Sequence, residues 1–404
     1  MDKLTIRDFD PAGRRVLLRV DFNVPIEDGK VKDDSRIRAS LPTIAYLLQR
    51  NAAVILMSHL GRPNGKVVES ARLRPVAQHL SALIGRPVPV TGDALGLGTR
   101  DAVARLKPGQ LLMLENLRFH AEEEKNDAEY ARTLAGYADV YVNDAFGSAH
   151  RAHASTVGVA EHLPGYAGLL MEREIEALSS LLESPAKPFA AVIGGAKVSG
   201  KLDVLDNLLT KVDALLIGGG MANTFLLAQG HTVGKSLIER DLAEAAGQII
   251  EKAAKRRVEL LLPTDVVVAK EVTRGAEHKI VPVHKIPNSW STVDVGPTTT
   301  EAFLEALEPA QTVFWNGPLG VFEVPTFGDG TRAMARYLAG RADAGATVVI
   351  GGGDSLAALE QLRLTERMTH ISTGGGASLE FLEGRELPGV AVLLDRRDAA
   401  VPVA

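Results

Sequence analysis

The chain of 404 residues contains no cysteine. Disulfides, thiolate metal sites and cysteine nucleophiles are thereby excluded, and a reducing compartment suits the composition. Aromatic residues make up only 5% of the chain, too few for a surface that stacks the bases of single-stranded nucleic acid. The net charge is −5, so an anion site must be a local cluster of basic groups and not a global field. No apolar run approaches the ~20 residues of a membrane span. The N-terminal stretch MDKLTIRDFD is charged from its second residue and has no apolar signal-peptide core. A cytoplasmic protein with neither membrane nor nucleic-acid partners is the expectation. What is present is an ordinary globular composition, 46% apolar and 24% charged. Its length exceeds what one hydrophobic core usually fills, so two domains are expected.

Short β-rich runs alternate with longer amphipathic stretches from end to end. In the first part the strand candidates are RRVLLRV, AAVILMSH, QLLMLEN and ADVYVNDA. In the second they are FAAVIGG, DALLIGGG, ELLLPTDVVVA, TVFWNGP, TVVIGGG and HISTGGG. Near-continuous apolar strands are those of a parallel sheet covered on both faces, so the fold class is α/β. The joint between the parts is placed near residue 170, where LPGYAGLLMEREIEALSSLLESPAKP runs from a Pro-Gly turn into a long helical pattern.

Four times in the second part an apolar strand runs into glycines and then into a helical pattern: VIGGAKVSGKL, LIGGGMANTF, VIGGGDSLAAL and STGGGASLEF. Glycines let backbone N–H groups approach a ligand, and a helix N-terminus offers partial positive charge, so phosphate is the natural guest. The stretch GAKVSGKL falls one residue short of a Walker A loop, because Leu202 stands where a Ser or Thr would ligate magnesium. Leu202 is read instead as part of the apolar face of the helix KLDVLDNLL. GGGMAN lacks the third glycine of a dinucleotide fingerprint, and no acidic residue closes a following strand at the right distance.

Each strand end of the first part carries a polar or basic signature. Asp21, Phe22 and Asn23 follow the first, with Arg36 opening the next helix; His59, Leu60, Gly61 and Arg62 follow the second. Arg118 follows the third, and His150, Arg151 and His153 follow the fourth. In a parallel sheet these points share one edge, so Arg36, His59, Arg62, Arg118 and Arg151 can converge on a small, multiply charged anion. No HRD-type catalytic loop, G-x-S-x-G elbow or HExxH motif occurs. An acceptor that is already an anion, such as a carboxylate, needs no base.

With those residues in view, the sequence resembles the phosphoglycerate kinase family. The segments RVDFNVP, SRIRASLPTI, SHLGRP, LENLRFHAEEEKN, DAFGSAHRAHASTVG, GGAKVSGK, FWNGPLGVFE, GGGDSLAAL and STGGGASLEFLEG occur in the family's order and span almost the whole chain. The resemblance implies two doubly wound, Rossmann-like parallel-sheet domains facing across a cleft that closes for reaction. The first, residues 1–170, would bind 3-phosphoglycerate or 1,3-bisphosphoglycerate and include a returning C-terminal segment at about 386–404. The second, residues 171–385, would bind ADP or ATP with Mg²⁺. By the same resemblance Asp21, Phe22 and Asn23 contact the glycerate, and Arg36 lies near the reacting carboxyl. His59, Leu60, Gly61, Arg62, Arg118 and Arg151 surround the 3-phosphate. Lys201 reaches the nucleotide phosphates, Glu323 the ribose, and Gly352, Gly353, Asp354 and Ser355 close around the phosphates. Asp354 would be the magnesium ligand, and Lys197 would accompany the phosphoryl group in flight. The family implies a monomer and a role in glycolysis. Two positions depart from its pattern: Gly200 stands where Asp is usual, and Ser355 where Thr is common.

Overall fold

A computed structural model describes residues 2–397. The end of the returning segment, residues 398–404, lies outside them. The chain divides into two compact units, one running to Glu176 together with the segment from Glu386, the other Ala177–Arg385. The division falls inside helix Leu169–Glu183.

The first unit holds a five-stranded sheet in the order Leu111–Met113, Ala53–Met57, Arg15–Arg19, Val140–Asn143, Gly165–Ala167. Every pairing in it is parallel. Its two longest strands read RVLLR and AVILM and are buried almost throughout, as burial on both faces demands. On one face Val16, Leu18, Val54, Leu56 and Val142 pack against Ile37, Ile44, Leu47, Val76 and Leu80 of the covering helices. Helix Arg74–Ile84 shows how local chemistry sets these covers: Pro75 pre-sets its first turn, and Gly85 ends it at φ 67°.

The C-terminal segment is tied to this unit by backbone. Leu4 N–H donates to Leu394 O at 2.8 Å, Gly389 N–H to Ala149 O at 2.8 Å, and Asn143 Nδ2 to Gly389 O at 2.9 Å. A Cβ on Gly389 would lie 2.9 Å from Ala149 Cα, so only glycine allows this approach.

The second unit holds a six-stranded parallel sheet ordered Glu259–Leu261, Ala214–Ile217, Phe189–Ile193, Thr312–Asn316, Thr347–Gly351, His370–Ile371. Numbered along the chain this is 3-2-1-4-5-6, the doubly wound order whose switch point lies between the first and fourth strands. The sequence reading differs from the structure in one place here. ELLLPTDVVVA is not one strand but two: Glu259–Leu261 joins the parallel sheet, Pro263 interrupts, and Asp265–Ala269 becomes the middle of a three-stranded antiparallel sheet with His278–Pro282 and Ser291–Val295. Proline has no N–H for the ladder, which is why the run breaks there.

Candidate active site

In the first unit the strand-end residues gather on one sheet edge, as parallel strands require. Arg36, at the second position of helix Ser35–Gln49, donates from Nη1 to Asp21 Oδ2 and to Asn23 O, each at 3.2 Å. Asn23 Oδ1 accepts Gly61 N–H at 2.9 Å, and Gly61 O accepts Arg118 Nη1 at 2.9 Å. These bonds link three successive strand ends. Arg118 is almost fully buried, its Nε facing Glu124 Oε1 at 3.3 Å. Its pKa is pushed down first by burial and further by Arg19 and Arg151, while Glu124 opposes the fall. Arg151 donates from Nε to His150 Nε2 at 3.2 Å. Arg62 stands exposed at the end of its loop and joins none of these bonds. Phe22 turns into the core, so any contact it makes with a ligand passes through its backbone.

Four buried polar residues beneath these strand ends carry no signal of their role in the sequence. Asn116 accepts Leu60 N–H at 3.3 Å and Arg118 N–H at 3.1 Å, and donates to Leu60 O and Ala71 O at 2.8 Å. It knits two strand-end loops together. Arg19, Glu123 and Ser155 form a second buried cluster against His59, taken up below. The segments RVDFNVP and LENLRFHAEEEKN place three of these four beside the pocket, but nothing in either says which side chains turn inward.

His59 is held neutral, its pKa well below the usual histidine range, first by burial and then by Arg19, Arg118, Arg36 and His153. His153 is driven down to about 3 by burial and by Arg118, Arg19 and Arg151. Both rings stay neutral in the fold, while in the unfolded chain they take up protons near pH 6.5. Their contribution to stability is therefore complete above pH 6.5 and is lost as pH falls, through about pH 3 for His153. Each costs roughly 1.4 kcal/mol per pH unit over that window. Glu123, raised by burial, works in the opposite sense just above pH 4.5. Asp144 and Asp294, each raised by burial to about 7, also gain stability as pH falls below 7, so the net slope sums opposing groups. In denaturant titrations at pH 7.5, 6 and 5 His153→Gln should shift the parent's slope by about one proton, towards greater stability in acid. An unchanged slope in His153→Gln would remove His153 from this account.

In the second unit the glycine turns divide into two kinds. Gly194, Gly219 and Gly317 pack backbone on backbone at the switch point. A Cβ on Gly219 would meet Gly195 N and O and Pro318 O at 2.7 Å, and one on Gly194 would meet Pro318 O at 2.2 Å. These glycines are required by turn-to-turn contact. Gly353 has nothing within 4 Å of where its side chain would be, and Gly352 has φ 88°. Gly353 opens helix Gly353–Leu362 towards free space, while a side chain on Gly352 would meet Asn316 Nδ2 at 3.1 Å; the open side is the arrangement that leaves backbone N–H groups for an anion.

Lys201 lies across the switch point. Its Nζ donates to Gly194 O at 2.7 Å and Asn316 Oδ1 at 2.6 Å, and approaches Asn316 O at 3.3 Å. Burial lowers its pKa to about 8, with Asp354 pulling the other way. Asp354 and Glu323 are exposed and line a cavity of about 490 Å³ with Gly195, Gly219, Gly220 and Leu319. Lys197, Lys201, Gly352, Gly353 and Ser355 do not line it. Ser355 is buried, and its Oγ accepts Gly317 N–H at 2.7 Å. Lys197 is exposed, on a loop held from below by Glu239 Oε2, which accepts Val198 N–H at 2.6 Å and Ser199 N–H at 3.0 Å. Gly200 has open space around its Cα and no left-handed φ, so the missing Asp side chain leaves a gap and no strain.

Leu202 departs from the sequence reading. The buried face of helix Leu202–Leu208 is Val204, Leu205 and Leu208, and Leu202 is only half-buried. Leu202→Ser should therefore cost roughly 0.5–1.5 kcal/mol and not the full price of a core cavity. It should leave magnesium-nucleotide affinity unchanged in an equilibrium titration. Tighter binding would mean that the loop works as a P-loop after all.

A parallel α/β fold with a cluster of basic side chains on one sheet edge, and a glycine-lined cavity of about 490 Å³ at the switch point of another, suits a phosphotransferase. The family model described as phosphoglycerate kinase matches residues 6–385. The phosphoglycerate kinase of Pelotomaculum thermopropionicum is 58% identical over 396 residues, covering 98% of this chain and all of the relative. That of Roseiflexus castenholzii is 59% identical over 397 residues, with the same coverage. Among solved structures, the phosphoglycerate kinase of Coxiella burnetii superposes with a TM-score of 0.87 at 44% identity, over 96% of this chain and 98% of that one. The Pyrococcus horikoshii enzyme gives 0.83 at 35% identity with the same shares. The chain belongs to the phosphoglycerate kinase family, and it is a kinase of glycolysis.

Proposed function

We propose that the protein transfers the C1 acyl phosphate of 1,3-bisphosphoglycerate to ADP, reversibly, in line and with no phosphoenzyme. The observation that carries this is the state of the carboxylates around the cationic pocket. Asp21 is paired with Arg36, Glu124 lies against Arg118, and Glu123 is taken up by Ser155. None of these three stands free to deprotonate a hydroxyl acceptor, which suits an acceptor that is itself a carboxylate.

The residue roles follow from charge and position. Arg62, Arg118 and Arg151 hold the 3-phosphate through charged hydrogen bonds. Arg36, kept by Asp21 at the mouth of the loop, orients the C1 carboxyl. Glu323 reaches the ribose, Lys201 the nucleotide phosphates, and the N–H groups at Gly352 to Ser355 receive phosphate oxygens. Lys197 meets the phosphoryl group as charge shifts between donor and acceptor oxygens. Among the described residues no cluster of three metal-ligating side chains occurs. An exposed Asp354 at a helix start fits Mg²⁺, which is commonly held by one carboxylate and the substrate's own phosphates. Asp354 would hold the ion, whose contribution is to neutralise phosphate charge.

Because the two substrates are assigned to separate units, transfer requires them to be brought together, and closure would also exclude water. We read the protein as a cytoplasmic monomer acting on small molecules, as its family resemblance implies; among the described residues no helix is long and apolar enough to cross a membrane. The test is ATP consumption on addition of 3-phosphoglycerate, with acetate and glycerate as control acceptors. Turnover is expected with 3-phosphoglycerate alone; equal turnover with glycerate would deny the 3-phosphate its role.

A further inference from the structure

Arg19 closes its strand with no solvent exposure at all. It lies deeper than the arginines of the pocket, and the reaction proposed above gives it no contact with substrate. Its three donor groups are all used within the protein. Nε donates to Ser155 Oγ at 2.8 Å, Nη1 to Val20 O, and Nη2 lies 3.0 Å from His59 Nδ1. Ser155 relays the pull onward, donating from Oγ to Glu123 Oε1 at 2.5 Å, while its N–H donates to Glu123 Oε2 at 3.0 Å. Glu123 is fully buried. The result is one continuous line of hydrogen bonds, Glu123 to Ser155 to Arg19 to His59, running beneath the pocket floor.

The direction of the last bond is decided by chemistry. A guanidinium has five N–H donors and no acceptor. Nδ1 of His59 must therefore be the acceptor, which places the single ring proton on Nε2. No described protein atom hydrogen-bonds to that nitrogen. We propose that Arg19 is a positioning residue for the phosphoglycerate site, fixing His59 in the Nε2–H tautomer so that the pocket offers substrate a neutral donor, with Ser155 and Glu123 holding Arg19 in place. The groups facing His59 come from every side: the charges of Arg19 on its strand, Arg36 on the following helix and Arg118 in its turn, with the neutral His153 in its loop beside them. The low proton affinity they impose keeps the tautomer unchanged through the neutral range. A protonated imidazole would also bind an anion, but its binding would switch with pH. A neutral donor of fixed orientation does not switch.

The assignment rests on reading the first unit's pocket as the substrate site, and the test separates the two. Nitrogen-15 NMR of the histidine rings is recorded on the ligand-free protein between pH 5.5 and 8. His59 is expected to show an unprotonated, hydrogen-bonded Nδ1 and a protonated Nε2 throughout. The same spectra and steady-state kinetics are taken for Arg19→Lys, Arg19→Met and Ser155→Ala. Lysine restores the charge but cannot span Ser155, Val20 O and His59 at once. Arg19→Lys and Arg19→Met should both average the two tautomers and raise the KM for 3-phosphoglycerate about ten- to a hundred-fold, with the ATP KM unmoved. Ser155→Ala should give the same change in weaker form, and it keeps the test open if the Arg19 variants do not fold. A parental His59 that is protonated on Nδ1, or titrates within the range, overturns the proposal. So does an Arg19→Lys enzyme with parental KM and spectrum, which would leave Arg19 a charge alone. If the parental protein showed the fixed tautomer yet bound no 3-phosphoglycerate, the functional reading of the pocket would fall and the Arg19–His59 pairing would stand.

Discussion

Lys197→Ala is expected to lower kcat and kcat/KM together by about 10²–10³-fold, while the dissociation constant for the nucleotide moves by no more than about three-fold. The structure gives the reason. Glu239 grips the backbone at Val198 and Ser199, so the loop is fixed, yet the Lys197 side chain is exposed and makes no hydrogen bond among the described residues. A charge held at a fixed loop, met only through space by Glu239 and free of hydrogen bonds among the described residues, contributes most where new charge develops, which is the transition state. Lys201 is the opposite case. Its ammonium is spent on Gly194 O and Asn316, at the point where nucleotide phosphates are assigned, so Lys201→Ala should appear first as weaker nucleotide binding. If Lys197 were an ordinary solvated lysine, kcat of Lys197→Ala would stay within a few-fold of the parent. Steady-state kinetics beside equilibrium nucleotide titration separate these outcomes.

The second large effect is expected at Arg118. Removing one charged hydrogen-bonding partner of a phosphate should weaken 3-phosphoglycerate binding by about ten- to a hundred-fold, or roughly 1.5–3 kcal/mol, and leave ATP binding nearly intact. Arg118 also holds the loop after the second strand through Gly61 O. Arg118→Ala should therefore lose folding stability as well as affinity. Arg62 is exposed and outside the bonded network, so Arg62→Ala should lose affinity alone. Calorimetric titration of both variants with each ligand, beside denaturation, is the check. Equal losses for the two ligands would remove the acceptor from the first unit.

The sequence was readable where one physical cause dominates. Buried parallel strands must be continuously apolar, and RVLLR, AVILM and TVFWN announce themselves for that reason. Polar residues at the ends of such strands must share an edge, which makes the gathering of Arg36, His59 and Arg118 legible in the sequence. The antiparallel sheet is not legible, because its edge strand, His278–Pro282, is largely exposed and its apolar pair Ile280–Val281 is short and followed by a proline. The return of the C-terminal segment depends on backbone bonds such as Leu4 to Leu394, which leave no periodic trace. Glycines mislead in a different way. Those at 194 and 219 look like a phosphate cradle, yet close backbone packing already demands them. Arg19 shows the same limit from the polar side. One arginine ending an apolar strand reads as a boundary, and its partners Ser155 and Glu123 lie more than a hundred residues away along the chain.

Direct transfer is the core of the mechanism, and the stereochemical course at phosphorus tests it most directly. The enzyme would be given ATP whose γ-phosphorus is made chiral with oxygen isotopes and sulfur, together with 3-phosphoglycerate, and the configuration of the acyl phosphate product would be determined. A single in-line displacement between substrates held by Arg36, Lys197 and the glycine turns predicts inversion. Retention would mean two displacements through an enzyme-bound phosphoryl group, and would contradict the mechanism proposed here.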